Sequence, residues 1–433
     1  MLAAMSSAAP RSSPLATAVA RDSGDACPGA MRLHAADDGA LARVRIPGGV
    51  LAVDQADALA SAARRLGDGE LHLTSRGNVQ IRGLDGGCAG ELAALLEAAG
   101  LLPAPSHERV RNVVASPLSG LDGRGFADVR PWLTGLDAAL CASDGARELS
   151  GRFLFALDDG RGDVAGLGAD VTVRATASGA ALLSLGSSGT ALRVPAADVV
   201  RSVLTATEIF LTSARSSAAR TWRVDELPVS ADDLVRMLGT QLSGTGVDCT
   251  PADQDTSTTD GPAPGVRGEA LSVHVPLGRL SLEQWRELTR FAAEAGTGEL
   301  RLTPWRGVVV PAPRSAAAAA LARLAATGLV TDPASAWPRV GACIGRPGCA
   351  KSHADVRVDA ARAPVAQAGL SLYWSGCERR CGRPRGAHAD VVAVPGGGYR
   401  VSADAPHGSG RSVPLDDPSR ITAVLAALTG HPA

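Results

Sequence analysis

Apolar and polar residues alternate over 41–47 (LARVRIP), which predicts a half-buried strand, and apolar positions then fall on one helix face over 56–66. Alternation returns at 70–74 (ELHLT) and continues through 79–81. The same order recurs later, with a strand over 271–276, a helix over 282–295 and strands over 299–303 and 308–310. Pro47 and Pro276 stand 229 positions apart, and so do Glu70 and Glu299, so the two segments align without a gap. An Ala/Leu-rich helix follows each copy, over 91–99 and 316–326. Strand, helix, strand, helix is half of a ferredoxin-like unit, which cannot cover its own sheet and is expected to pair with its counterpart.

Between the copies, strand-like runs at 152–157, 170–175, 181–185 and 191–194 and a helical stretch at 197–205 predict an α+β domain. Residues 249–267 are rich in Pro, Gly, Thr and Asp without apolar periodicity and read as a linker. A last strand pair, 389–394 and 399–402, is turned by Pro395-Gly-Gly-Gly398. The expected division is a disordered tail over 1–25, a ferredoxin-like half-domain over 26–112, an α+β domain over 113–248, the linker, a second half-domain over 268–335 and a second α+β domain over 336–433. Charge is balanced, 43 basic against 44 acidic residues, which gives no electrostatic case for nucleic acid. No apolar run reaches the roughly 20 residues of a membrane span, and no export signal is read at the N-terminus, so a cytoplasmic location is expected. Lys351 is the only lysine and stands two residues after Cys349; codon bias is the plain explanation for the lack of others, and Lys351 stays a residue to test.

Four of the eight cysteines form two tight pairs: Cys343 and Cys349 enclose five residues, Cys377 and Cys381 enclose three. Gly345, Pro347 and Gly348 make the first loop compact and leave N–H groups free for inorganic sulfide, and a helical turn would put Cys377 and Cys381 on one face. Structural zinc suits the second pair and fits the first poorly, and disulfides need an oxidising compartment. Unrelated buried thiols are the bland reading; an iron-sulfur cluster leads.

An ungapped ferredoxin-like duplication with C-x5-C and then C-x3-C in the last quarter resembles the nitrite and sulfite reductase superfamily. Leu73-Thr-Ser-Arg-Gly-Asn-Val-Gln80 and Arg111-Asn-Val-Val-Ala-Ser-Pro117 also resemble its motifs. The resemblance implies a duplicated nitrite/sulfite reductase-like α+β architecture, with each ferredoxin-like half-domain followed by an α+β domain. It further implies a 4Fe-4S cluster on Cys343, Cys349, Cys377 and Cys381, bridged in such reductases to sirohaem, and anion-binding cations at Arg76 and Arg111. The family's Lys-Phe-Lys falls on Arg152-Phe153-Leu154, so one cation is replaced by an apolar side chain. Cys27-Pro-Gly and Ala127-Asp-Val-Arg-Pro131 are similar to the branch of the superfamily that serves aerobic cobalamin biosynthesis. That branch implies a tetrapyrrole substrate, precorrin-3A, hydroxylated by O2 at C20 with closure of a γ-lactone. It also implies a non-haem iron whose ligands the sequence does not reveal, and an electron donor such as NADH acting through a reductase or ferredoxin. A sirohaem-dependent nitrite or sulfite reductase is the alternative.

Arg76 and Arg111 are therefore the expected carboxylate-binding residues, backed by Arg109, Arg152 and Arg306. Arg346, Arg379, Arg380 and Arg383 surround the cysteines and would offset cluster charge. The pairs His353/Asp355 and His388/Asp390, and His72 beside the arginine loop, are candidate iron ligands, against the plain reading of His353 on a helix and His388 at the start of a strand. Asp158-Asp-Gly-Arg-Gly-Asp163 lacks the EF-hand pattern and reads as a polar turn. Trp132, Trp305 and Trp374 suit either a flat macrocycle or a core.

Overall fold

The structure, a computed structural model, describes residues 25, 27–363, 370–384, 387–403 and 412–429; except for Asp25, the expected tail lies outside them. The repeat seen in the sequence is realised as two five-stranded sheets that exchange a strand. The first sheet runs in the order His34–Ala36, Gly39–Val44, Val79–Leu84, Glu70–Leu73, and is completed by Arg279–Ser281 from the second copy. The second runs Gly265–Val266, Ala270–His274, Gly307–Pro311, Glu299–Leu302, and is completed by Val50–Ala52 from the first. The register is reciprocal: Leu280 pairs with Leu71, and Leu51 with Leu300.

Each exchanged strand leaves a tight turn, Pro47–Gly49 or Pro276–Gly278. Gly49 (φ +73°) lies against the Leu302 carbonyl, where a Cβ would stand 1.9 Å from the oxygen; only glycine allows that approach. Helices Val53–Leu66 and Leu282–Glu294 follow the turns and cross at the centre, where Trp285 Nε1–H donates to the Ala56 carbonyl at 2.8 Å. Trp285 and Ala56 are equivalent positions 229 residues apart, so this bond lies on the molecule's internal two-fold. Leu51, Leu280, Trp285 and Leu288 belong to one apolar core that spans both copies.

Each half-domain leads into a further sheet with its own core. In the first, Val113–Ala115, Phe155–Asp158 and Val171–Ala175 are parallel, with Ala180–Leu185, Thr190–Pro195 and Thr250–Asp253 added antiparallel. In the second, Val340–Ala342, Ser371–Ser375 and His388–Ala393 are parallel, with Tyr399–Ala403 and Ser412–Leu415 antiparallel. The stretch read as a linker differs from expectation. Thr250–Asp253 is an edge strand, and Arg174 holds the next residues through the Asp255 and Ser257 carbonyls at 3.1 and 2.9 Å. Edge pairing uses backbone groups, so such a strand carries no apolar period. Among the described residues, no helix is long and apolar enough to cross a membrane.

Replacing Trp285 with Ala removes a fully buried indole from the internal two-fold, and an aromatic-to-alanine cavity costs about 3–5 kcal/mol. Equilibrium denaturation should show that loss as one cooperative shift; a change below about 1 kcal/mol would show that the two copies do not depend on this contact.

Candidate functional site

Two parallel neighbours in the last sheet bring the cysteines together. Cys343 follows Val340–Ala342, and Cys377 follows Ser371–Ser375 after Gly376, so both emerge at the same sheet edge. Cys343 N–H donates to the Trp374 carbonyl at 2.9 Å, and Gly376 N–H donates to Cys343 Sγ at 3.2 Å. A side chain at 376 would strike Ser352 Oγ at 1.9 Å, so glycine admits this sulfur-directed bond. The first cysteine loop is tied to the other half of the molecule: Arg82 Nη2 donates to the Gly348 carbonyl at 3.2 Å, and Asp37 accepts from Ala350 N–H. Tyr373 O–H donates to the Cys381 carbonyl at 2.6 Å.

The turn carrying Cys377 and Cys381 is irregular, contrary to the helical expectation, because Arg380 (φ +45°) and Gly382 (φ +81°) adopt left-handed backbone. All eight cysteines are free thiols. Burial lifts the Cys343 thiol, and the nearby Cys381 and Cys377 raise it further, while the Gly376 and Gly345 N–H groups oppose them. Among the described residues, the one group of three metal-ligating side chains within 4.8 Å of one another is Asp68, Glu70 and His72.

A second centre is a cavity of about 720 Å³ lined by Cys27, Arg43, Arg45, Arg76, Arg152 and Arg223, with Asp225 and Glu226 at its side. Arg45 is 3% exposed; its Nη1 donates to Asn112 Oδ1 at 3.1 Å and its Nη2 to the Gly151 carbonyl at 2.9 Å, leaving Nε without a partner. The Thr74–Asn78 loop is set by Thr74 Oγ1, which accepts from the N–H groups of Arg76 and Asn78 at 3.3 and 3.1 Å. Arg152 lies 4.8 Å over the Trp222 ring. Burial, then Arg43 and Arg76, push Arg45 down to about 9; burial, then Arg223 and Arg43, push Arg76 down to about 10. Crowded guanidinium groups repel one another, and a bound anion relieves that repulsion.

Arg76 therefore lies in the cavity and Arg111 does not. Arg111 grips Asp137 through Nε at 2.7 Å and Nη2 at 2.6 Å and gives Nη1 to the Leu101 carbonyl, so it anchors the chain while its neighbour Asn112 orients Arg45. Arg109 donates to the Asp25 carbonyl at 3.2 Å. Sequence reasoning missed Arg43 and Arg45, although two arginines alternating on one face of a buried strand were a readable signal. Leu154 is buried among Val114, Ala156, Val164 and Ala169, with Trp305 packed against them.

Around the cysteines, Arg346 bonds the Ser352 carbonyl, Arg380 pairs with Asp390 at 2.9 Å, and Arg383 lies 3.8 Å from Asp390, while Arg379 and Lys351 are exposed. Arg306, expected behind the carboxylate-binding arginines, does not line their cavity and lies near the cysteines with Arg357, which no motif singled out; burial, then Arg306, push Arg357 down to about 10, and Cys343 opposes the shift. Trp374 and Trp132 are core residues.

The candidate iron ligands do not converge. His353 precedes helix Val356–Arg362 instead of lying on it, and Asp355 caps that helix by accepting from Val358 N–H. His388 begins its strand as expected, 3.4 Å from Asp390, which is engaged by Arg380. His72 does meet Asp68 and Glu70, yet Arg357 donates to His72 Nδ1 at 3.0 Å, which puts the ring proton on Nε2 facing Asp68, and Glu70 pairs with Arg279. A metal would need that nitrogen bare, so this donor set does not fit an iron.

The nitrite/sulfite reductase ferredoxin-like half domain is matched over residues 34–99 and again over 265–327. Both copies of the repeat carry this half domain. Ferredoxin–nitrite reductase of Synechococcus elongatus is 28% identical over 82% of this chain and 76% of its own length. Precorrin-3B synthase of a Sinorhizobium species is 27% identical over 86% of this chain and 81% of its own. The structure of the Mycobacterium tuberculosis NirA protein superposes with a TM-score of 0.67 at 18% identity, over 89% of this chain and 79% of that one, which shows the shared fold. The chain is thus similar to relatives of two kinds at nearly equal identity.

The half-domain pair also makes a pH prediction. His274 is the repeat equivalent of Arg45; burial, then Arg306, hold it down at about 4, and its Nε2 has no partner. A histidine depressed in the folded state costs stability as pH falls below its unfolded value near 6.5 and down through about 4. His274→Gln should remove up to about 3 kcal/mol of acid destabilisation at pH 4, read from denaturation midpoints at pH 7 and pH 4.

Proposed function

We propose that this chain is an iron-sulfur oxygenase of the precorrin-3B synthase kind, hydroxylating precorrin-3A at C20 with closure of a γ-lactone. The observation that carries the reading is Leu154. Where a sulfite- or nitrite-binding site of this fold family would hold a second cation, the chain buries an apolar side chain in an apolar cluster. Reduction of a small oxyanion depends on preorganised positive charge at the reacting atom, and this position supplies none. A carboxylate-fringed macrocycle has the opposite need: several cations spread over a wide cavity, which Arg43, Arg45, Arg76, Arg152 and Arg223 provide.

Cys343, Cys349, Cys377 and Cys381 would hold a 4Fe-4S cluster, and their donor set fits one, with Gly376 N–H already directed at Cys343 Sγ. When bound, such a cluster supplies electrons to the reaction. Hydroxylation by O2 consumes two electrons and two protons and releases water, so the reading includes an electron donor, NADH through a reductase or ferredoxin. The protein's share is to bind and orient the substrate. Arg45, fixed by Asn112 and Gly151, offers its Nε toward a carboxylate, and Arg76 adds a second cation held by the Thr74 turn. Reaction in the cytoplasm fits a soluble reductant.

The similarity to nitrite reductases favours the alternative, a sirohaem-dependent nitrite or sulfite reductase. An absorption spectrum of anaerobically purified protein, with iron and sulfide quantified, separates the two: a broad shoulder without haem bands supports the oxygenase, and strong Soret and red bands mean sirohaem. Oxygen uptake that depends on precorrin-3A completes the test. Cys377→Ser should lose cluster absorbance and activity together, and full absorbance in that variant rejects the ligand. Arg76→Ala should weaken tetrapyrrole binding by about 10–100-fold, the worth of a charged hydrogen bond, with an unchanged denaturation midpoint. Arg111→Ala should do the reverse, lowering stability because it strands Asp137.

A further inference from the structure

The cysteine cradle has a counterpart in the first half of the molecule. Cys343 follows its strand by one residue, donates its N–H to Trp374 O, and receives Gly376 N–H on its sulfur. Ser116 follows Val113–Ala115 by one residue, donates its N–H to Leu157 O at 3.1 Å, and receives Asp159 N–H on Oγ at 3.1 Å. Ser116 Oγ thus stands where Cys343 Sγ stands in the other half, at the carboxyl edge of parallel strands, where ligands of such sheets bind.

Beside it opens a cavity of about 600 Å³, lined by Asp122, Arg124, Arg161, Asp163, Arg267 and Arg314 among others. Asp163 is 4% exposed: Oδ1 accepts from Ser116 Oγ–H at 2.6 Å, and Oδ2 has no hydrogen-bond partner, with Arg161 Nε 3.9 Å away. Arg161 is committed elsewhere, to Asp122 at 3.0 Å and Asp159 at 2.7 Å. Arg267 spends its hydrogen bonds on the Ala263 and Pro264 carbonyls, which leaves its charge uncompensated by any carboxylate it bonds. With Arg124 and Arg314 at the same cavity, four arginines line it against Asp122, Asp163 and Asp260, and the positive excess grows once Asp163 is neutral. Burial, then Asp158 and Asp159, raise Asp163 to about 7, against the Ser116 bond and Arg161. A bound cation would face Arg161; a bound anion would meet a carboxyl O–H and three guanidinium groups.

We propose that this cavity binds a small oxyanion, a polycarboxylate or a phosphate, held by Arg124, Arg267 and Arg314 and by a hydrogen bond from the Asp163 carboxyl. Binding then requires Asp163 to carry its proton, so affinity falls as pH rises through 7.

Isothermal titration of the full chain with citrate, and separately with pyrophosphate, tests this and distinguishes the two sources of oxyanion. The titrations use a chain in which Arg76, Arg152 and Arg223 are together replaced with Ala, because the other arginine cavity also attracts anions. One binding event is expected, about tenfold weaker at pH 8 than at pH 6, as proton linkage at one group near 7 requires. It should disappear when the exposed Arg124 and Arg314 are also replaced with Ala. Asp163→Asn, which keeps a donor without a charge, should bind with no such pH dependence. No event with either probe, or one that survives loss of Arg124 and Arg314, overturns the proposal. Neither result bears on the cluster or oxygen measurements, which concern the cysteines and the other arginine cavity.

Discussion

Reciprocal strand exchange is the constraint on which the rest of the molecule depends. Each half-domain sheet is finished by three residues of the other copy, through Leu280 on Leu71 and Leu51 on Leu300. A sheet with an unfilled edge leaves backbone groups and apolar side chains in water, so neither copy is complete alone. The exchange therefore fixes how the halves face each other, with the Trp285 bond to Ala56 on the axis between them. The two outer sheets start from the ends of these half-domains, and their sites inherit that placement. Arg82 makes the dependence direct: it pairs with Asp38 in the first half and holds Gly348 of the cysteine loop in the second.

Electrostatics then divides the surfaces that the exchange creates. Five arginines crowd one cavity, two of them driven well below their usual range by burial and by one another. Such crowding is unfavourable in the empty protein and becomes favourable when an anion with spread charge enters, so part of the binding free energy is set in advance by the fold. The cysteine side shows the complementary pattern. Thiols that raise one another stand near Arg357 and Arg306, where an anionic centre is offset by fixed cations.

Much of this was legible in the sequence, because a duplication without gaps is a statement about register. The 229-residue offset gave both sheets and the central helices, and the cysteine spacing gave the cradle. The exchanged strands escaped because three residues carry too little alternation to stand out, and the edge strand 250–253 because it uses only its backbone. Arg111 shows the limit of motif reading. Its motif places the segment correctly, yet the side chain turns to Asp137, and whether a guanidinium faces a cavity or a carboxylate depends on a partner 26 residues away that no local pattern names. Arg45 is the converse case: its alternation with Arg43 was readable, but its burial depends on Asn112 and Gly151, which are distant in sequence.

Divergence between the copies explains how a symmetric scaffold acquires an asymmetric function. Positions 229 apart carry Arg45 and His274, Arg76 and Trp305, and Gly77 and Arg306, while Ser116 and Cys343 correspond in following the first strand of each outer sheet. Gly77 and Arg306 both keep left-handed backbone, at φ +66° and +57°, although only glycine adopts it without strain. The fold therefore imposes the turn, and the second copy accepts the strain of an arginine there. That arginine lies within electrostatic range of Tyr373 and Arg357, beside the cysteines, whereas its counterpart Gly77 lets the Leu302 backbone approach. Cations lost from the second copy's cavity face, at His274 and Trp305, are thus matched by a cation gained beside the thiols. Each copy is left with one charged centre, and the centres differ in what they can hold.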